Sequence, residues 1–292
     1  MGLHNRLALG TVQFGRPYGV ANQSGQVGRE EAAAILDHAW KAGLNSVDTA
    51  IAYGESEQRL GEVGIGQWRI ISKLPTIPEK HTDIAAWVQA SVLGSLARLR
   101  VPKLHGLLLH RSQQLLGSQG ATLYRALIAL KDHGMVEKIG ISIYSPDELD
   151  ALWPYFQFDL VQAPFNIIDR RLTTSGWLKR LHEAGTEIHI RSVFLQGLLL
   201  MKSTDRPAIF SHWQPLWDQW HHWLDDQSVT ALQACLGFAM AQPEIDCVVV
   251  GVDSLKQLQE ILTCVEVPPV VPPATLISWD LDLINPSRWN ES

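Results

Sequence analysis

Gly106-Leu107-Leu108-Leu109 runs into His110, a segment of helical period follows at 120–133, and Ile139-Gly140-Ile141-Ser142 comes next. Two short apolar runs joined by a helix of this length form a β/α/β unit, because parallel strands need a crossover of a dozen residues or more. Outward from this unit the alternation continues to both ends of the chain. Strands are predicted at 7–12, 46–48, 69–72, 106–109, 139–142, 160–162, 187–190 and 246–250, and helices near 29–42, 55–63, 82–99, 120–133, 146–154, 171–184, 228–240 and 254–263.

Local signals support these boundaries. Gly43, Gly134 and Gly185 each follow a helical run, where a left-handed residue commonly closes the helix. Ser145-Pro146 reads as an N-cap and first helical residue, and Ser254 with Gln257 three positions later has capping-box spacing. The strands are mostly apolar throughout, as parallel strands buried on both faces are. Eight such units predict an α/β fold, a closed (β/α)8 TIM barrel, with residues 1–292 as one domain. Two stretches break the pattern. Residues 200–226 hold Trp213, Trp217, Trp220 and Trp223, read either as an amphipathic helix packed on the barrel or as a lid over its mouth. The tail after Val265 is rich in proline and is expected to run over the surface.

The 292 residues include 46% hydrophobic and 18% charged, a mix that can bury a large core. A net charge of -6 offers no broad cationic face for nucleic acid or anionic lipid, and neither is an expected partner. No apolar run approaches the roughly 18 residues a membrane span needs. The three cysteines are too widely spaced for a disulfide scaffold or zinc knuckle, so a cytoplasmic setting is expected, with no metal site.

In a parallel barrel the reactive groups sit at the C-terminal ends of strands. Asp48 ends the second predicted strand, with Tyr53 five residues on. Lys73 follows the third and His110 the fourth. Singly, each has a structural explanation as a cap, a core aromatic or a solvated strand end. Jointly, an acid, a phenol, an ammonium and an imidazole at three successive strand ends converge on one mouth. Lys73 next to Tyr53 is expected to lower the phenol pKa, with Asp48 holding Lys73 charged and His110 orienting a carbonyl oxygen. Such a cluster supplies a proton to a developing alkoxide, as hydride addition to a carbonyl requires. Residues 14–22, with Arg16, Tyr18 and Asn22, are expected to overlook the same mouth, either as a β-hairpin plug or turn-rich connector or as contacts to a hydroxylated or anionic substrate.

From Leu9-Gly10-Thr11 through Asp48-Thr49-Ala50-Ile51-Ala52-Tyr53-Gly54-Glu55-Ser56-Glu57, Lys73, His110, Ile139-Gly140-Ile141-Ser142, Gln162-Ala163-Pro164-Phe165-Asn166 and Gly251-Val252-Asp253-Ser254, the chain resembles the aldo-keto reductases over nearly its whole length. The resemblance implies a TIM barrel that reduces a small-molecule carbonyl, an aldehyde, ketone or sugar-like compound, with a nicotinamide cofactor. It also implies a tetrad of Asp48, Tyr53, Lys73 and His110 with Tyr53 as general acid. Carried over residue by residue, Ser142 and Gln162 would hold the nicotinamide carboxamide, although the asparagine common after that serine is Ile143 here. Arg191 stands where an aromatic ring often stacks on the nicotinamide. Gly251, Ser254, Gln257 and Glu260 resemble the segment that takes the adenosine end.

Asp253 departs from the basic residue typical near that position in NADP-binding members, and Lys256 lies close enough to offset it. NADP(H) is therefore expected, with NAD(H) as the second candidate and a narrower preference than usual. Two other readings compete. One is a cofactor-binding sensor or partner subunit, as the potassium-channel β subunits of this family imply. The other is a different barrel enzyme using Asp48 and His110, but it lacks a suitably spaced carboxylate pair or metal-ligand pattern.

Overall fold

Eight parallel strands close in chain order into a barrel: β1 (Leu7–Gly10), β2 (Ser46–Asp48), β3 (Arg69–Leu74), β4 (Leu104–Leu109), β5 (Val136–Ser142), β6 (Leu160–Pro164), β7 (Glu187–Arg191) and β8 (Cys247–Gly251). The computed structural model describes residues 3–79 and 81–289. β1 closes the ring on β8 with Gly10 opposite Gly251. Helices between the strands bury an apolar stripe against the outer face. In Arg29–Lys41, for example, Ala32, Ile35, Leu36 and Ala39 are buried at helical spacing.

The inner face follows the period-two rule. Lys73, His110 and Gln162 point into a cavity at the C-terminal end, and two residues earlier on the same face Ile71, Leu108 and Leu160 form their own buried cluster. That cluster plugs the barrel beneath the site. Toward the N-terminal end of the barrel, Glu187 meets Arg69, His105, Lys138 and His189. Burial pushes the Glu187 pKa up, but hydrogen bonds from His105, His189 and Lys138 outweigh it and hold the carboxyl ionised.

Sequence and structure part in a few places. β3 runs on to Leu74, so Lys73 lies inside the strand, and β5 begins at Val136, taking in the charged pair Glu137-Lys138. The expected helix 171–184 is broken by Gly176, whose φ of 80° separates Arg171–Thr174 from Trp177–Glu183. Pro146, and not Ser145, caps the helix Asp147–Leu152. Gly43, Gly134 and Gly185 adopt the expected left-handed φ, at 96°, 71° and 71°.

The tryptophan-rich stretch forms the helix Gln214–Gln227, in which Trp217 and Trp220 are fully buried. Their indole N–H groups donate to Phe210 O at 2.9 Å and Leu199 O at 3.1 Å. Of this stretch only Leu200 and Met201, at its start, line the cavity among the described residues, while the helix itself packs on the barrel. The proline-rich tail contains a short helix, Leu281–Ile284, and returns to the mouth, where Pro286, Ser287 and Trp289 line the cavity. Among the described residues, no helix is long and apolar enough to cross a membrane.

Candidate active site

The loop after β2 is fixed by small side chains and by two glycines. Ser56 Oγ donates to Thr11 O at 2.8 Å and lies 3.1 Å from Thr49 Oγ1, while Thr11 Oγ1 donates to Asp48 O at 2.9 Å. Gly54, at φ 56°, rests against Gly15. A Cβ on Gly15 would sit 1.7 Å from Tyr53 O, so the backbones meet at a distance only glycine allows. This contact sets Tyr53 over the barrel mouth.

There the four strand-end residues converge. Lys73 Nζ donates to Asp48 Oδ1 at 2.5 Å and to Thr49 O at 2.9 Å, with Lys73 and Asp48 both buried. The ammonium also lies 5.0 Å from the centre of the Tyr53 ring, which meets His110 edge-on at 5.7 Å. Among the described residues the Tyr53 hydroxyl has no hydrogen-bond partner. Burial, and after it the Asp48 charge, pushes the Tyr53 pKa well above its ordinary value. This reverses the expectation that Lys73 lowers it. The Lys73 charge is matched by Asp48, and desolvation of the phenolate dominates. Burial also lowers the Lys73 pKa, against the pull of Asp48. The His110 pKa falls to about 3, through burial first and then the charges of Lys73, Arg191, Arg111 and Arg16, so the imidazole is neutral at pH 7.

Ser142 and Gln162 join the same network. Gln162 Nε2 donates to Asp48 Oδ2 at 2.7 Å, and Ser142 Oγ lies 3.5 Å from Gln162 Oε1. Arg191 donates to Ile143 O at 2.9 Å and stacks 4.7 Å from the Tyr144 ring. These residues, with Gly251, Gln257 and Glu260, line one cavity of about 720 Å³, within the usual size of a cofactor or ligand site. Ser254 does not line it, because its Oγ accepts from Gln257 N as the helix cap. This is the predicted half of the capping box; the return bond is displaced by one residue, Gln257 Oε1 accepting from Asp253 N at 2.7 Å. Lys256 turns away from Asp253, lying 3.9 Å from Glu260.

Residues beyond the predicted tetrad and cofactor set complete the site. Gln13 is buried against Gly251, where a Cβ would come within 2.5 Å of its Nε2, and among the described residues its Oε1 has no partner. Ser192, Leu195, Gln196 and Gly197 all take positive φ, and this strained loop lines the cavity. Residues 14–22 make no hairpin. After the turn Val12–Gly15 they cross to this loop, with Gln196 Nε2 donating to Tyr18 at 3.2 Å. Arg111 and Tyr144 lie two residues past the ends of β4 and β5, which was a usable signal. Trp289 arrives from the tail and carried none.

The chain matches the aldo/keto reductase family over residues 6–272. It is 28% identical over 241 residues to D-threo-aldose 1-dehydrogenase from a Pseudomonas species, covering 69% of this chain and 73% of that protein. It is 23% identical over 261 residues to the uncharacterized oxidoreductase YqkF of Bacillus subtilis, with 80% and 81% covered. A Pseudomonas aeruginosa chain assigned to the aldo-keto reductases superposes with a TM-score of 0.66 at 26% identity, over 89% of each chain. The holo form of an aldo-keto reductase from Bacillus halodurans gives 0.73 at 20% identity, over 91% of this chain and 88% of that one. The protein is an oxidoreductase and belongs to the aldo/keto reductase family.

Proposed function

We propose that the protein reduces a small-molecule carbonyl to an alcohol with NAD(P)H, and that Tyr53 delivers the proton. The observation that carries this reading is the Tyr53 hydroxyl, without a hydrogen-bond partner among the described residues, its ring edge-on to His110 and above the buried Lys73–Asp48 pair. The dinucleotide would supply a hydride to the carbonyl carbon. Tyr53 donates its proton to the carbonyl oxygen as negative charge develops there, and Lys73 stabilises the resulting phenolate through its charge. His110, neutral, donates one N–H to the same oxygen and orients it. The buried pair holds Lys73 in place and keeps bulk water from beneath the phenol.

The residues present fit a dinucleotide. Among the described residues the buried Gln13 Oε1 has no partner, Gly251 leaves a cradle that a Cβ would fill, and the amide of Gln162 faces the cavity beside Ser142. Ser142, Gln162 and Arg191 would hold the nicotinamide end, and Gly251, Gln257 and Glu260 the adenosine end. Ser254 would act through the helix cap. NADP(H) is the proposed cofactor, with weak discrimination against NAD(H), because Asp253 and Glu260 put negative charge where a further phosphate would lie. The whole chain acts as one barrel domain in this reading. Fluorescence titration with NADPH and NADH tests it. Tryptophan quenching at micromolar cofactor is expected, and none at millimolar concentration of either would refute it.

A further inference from the structure

The mouth next to Tyr53 carries more positive charge than the reduction uses. Lys73, Arg16, Arg111 and Arg191 line it, and Lys73 is already paired with Asp48. Arg191 uses its Nη1 on Ser192 Oγ at 3.2 Å and its Nη2 on Ile143 O at 2.9 Å. Arg16 and Arg111 differ. Among the described residues neither guanidinium has a carboxylate within ion-pair distance or a hydrogen-bond acceptor. Aromatic rings lie beside them instead. Arg111 lies 4.8 Å from the Tyr144 ring, and Arg16 lies 5.8 Å from Tyr18 and 5.9 Å from Tyr53.

A guanidinium lying over an aromatic ring keeps its N–H edge free, the edge that receives a carboxylate or phosphate in bidentate fashion. Both charges reach the reacting end, since each contributes to lowering the His110 pKa. Arg111 also directly follows His110 in the chain, which places it beside the group that orients the carbonyl. Resting on the reductase reading above, we propose that the substrate is a carbonyl compound bearing an oxyanion, and that Arg111 and Arg16 bind that oxyanion beside Tyr53 and His110.

The test compares kcat/KM at saturating NADPH for para-carboxybenzaldehyde and its neutral para-carbamoyl isostere, and for glyceraldehyde phosphate and glyceraldehyde. The charged member of at least one pair is expected to be preferred by about ten-fold or more. The preferred pair distinguishes a carboxylate from a phosphate. The ratio should shrink toward unity in Arg111→Gln, shrink in Arg16→Gln, fall with added salt and survive in part in Arg111→Lys. Equal kcat/KM within both pairs, with NADPH bound and neutral aldehydes reduced, overturns this proposal and leaves the reductase reading standing. Failure to bind NADPH or NADH and to reduce any aldehyde removes both. If Arg111→Gln weakens NADPH binding and leaves the substrate ratio unchanged, the arginine serves the dinucleotide phosphates and the proposal is wrong.

Discussion

The side-chain amide of Asn22 donates to Oδ1 of Asp253 at 2.8 Å, joining the segment after β1 to the segment after β8 across 231 positions of sequence. Asn22 is itself fixed by a turn, its Oδ1 accepting from Gly25 N at 2.7 Å. Asp253 is therefore a built part of the cavity rim and not a free surface charge. Burial raises its pKa, while the hydrogen bonds that its carboxylate accepts from Asn22 and Gln257 act in the opposite direction.

That placement separates charge from shape at position 253. Asp253→Asn keeps the contact to Asn22 and removes the charge, so NADPH should bind roughly 3–10-fold tighter and NADH should change by less than about two-fold. Asp253→Arg should move further in the same direction. Dissociation constants for both cofactors in each variant measure this. Equal shifts for NADPH and NADH would show that position 253 does not face the 2′-phosphate.

Tyr53→Phe should lower kcat by on the order of 10²–10⁴ and leave NADPH affinity and melting temperature nearly unchanged, since it deletes one hydroxyl. Lys73→Met should give a comparable kcat loss, and the double variant should lose little more than either alone, because the phenol and the ammonium act as a unit. It should also lose stability, because Asp48 would be left buried and without its cation. Additive losses in kcat would separate the two residues.

His110 gives a pH signature. Its folded pKa of about 3 lies below the ordinary 6.5, so between these values the unfolded chain binds a proton that the folded chain refuses. Stability should therefore fall as pH drops from about 6.5 toward 3, with this one group contributing up to roughly 1.4 kcal/mol per pH unit. Melting curves of the wild type and His110→Gln from pH 7.5 to 4.5 check the sign. The variant should show the shallower acid slope, and parallel curves would mean that His110 already carries its proton.

The barrel was legible in the sequence because its strands are apolar on both faces and its helices are closed by glycines. The strand bounds fell short where charge enters the barrel. Lys73-Leu74 and Glu137-Lys138 look like strand ends by composition, but ion pairing inside the barrel overrides that. The strand-end cluster was legible because a parallel barrel brings all C-terminal strand ends together. Its electrostatics were not. Whether Tyr53 is raised or lowered depends on burial against one matched ion pair, and spacing carries no burial. Contacts made by Gln13, Tyr144 and Trp289 depend on the paths of loops, which no periodicity records.

Ser56-Glu57 closes the run from Asp48 that carries the family resemblance, and the structure gives Glu57 a structural task. It is 1% exposed, its Oε1 accepts from Ser72 and Ser95 at 2.6 Å each, and its Oε2 accepts from Arg98 Nε at 2.8 Å and Nη2 at 2.6 Å. Glu57→Gln can keep an oxygen toward Arg98 and turn its amide toward the two hydroxyls, so shape survives and charge is lost. A cost of about 1–3 kcal/mol is expected, with a melting temperature lower by several degrees. Glu57→Ala strands Ser72, Ser95 and Arg98 together and should cost about 3–5 kcal/mol. Below the melting transition, Glu57→Gln should hold kcat/KM within about ten-fold of wild type, because Glu57 shapes the loop without touching the reacting atoms. Calorimetry and steady-state rates on the same preparations decide the matter, since a kcat collapse at unchanged melting temperature would move Glu57 from the scaffold into the chemistry.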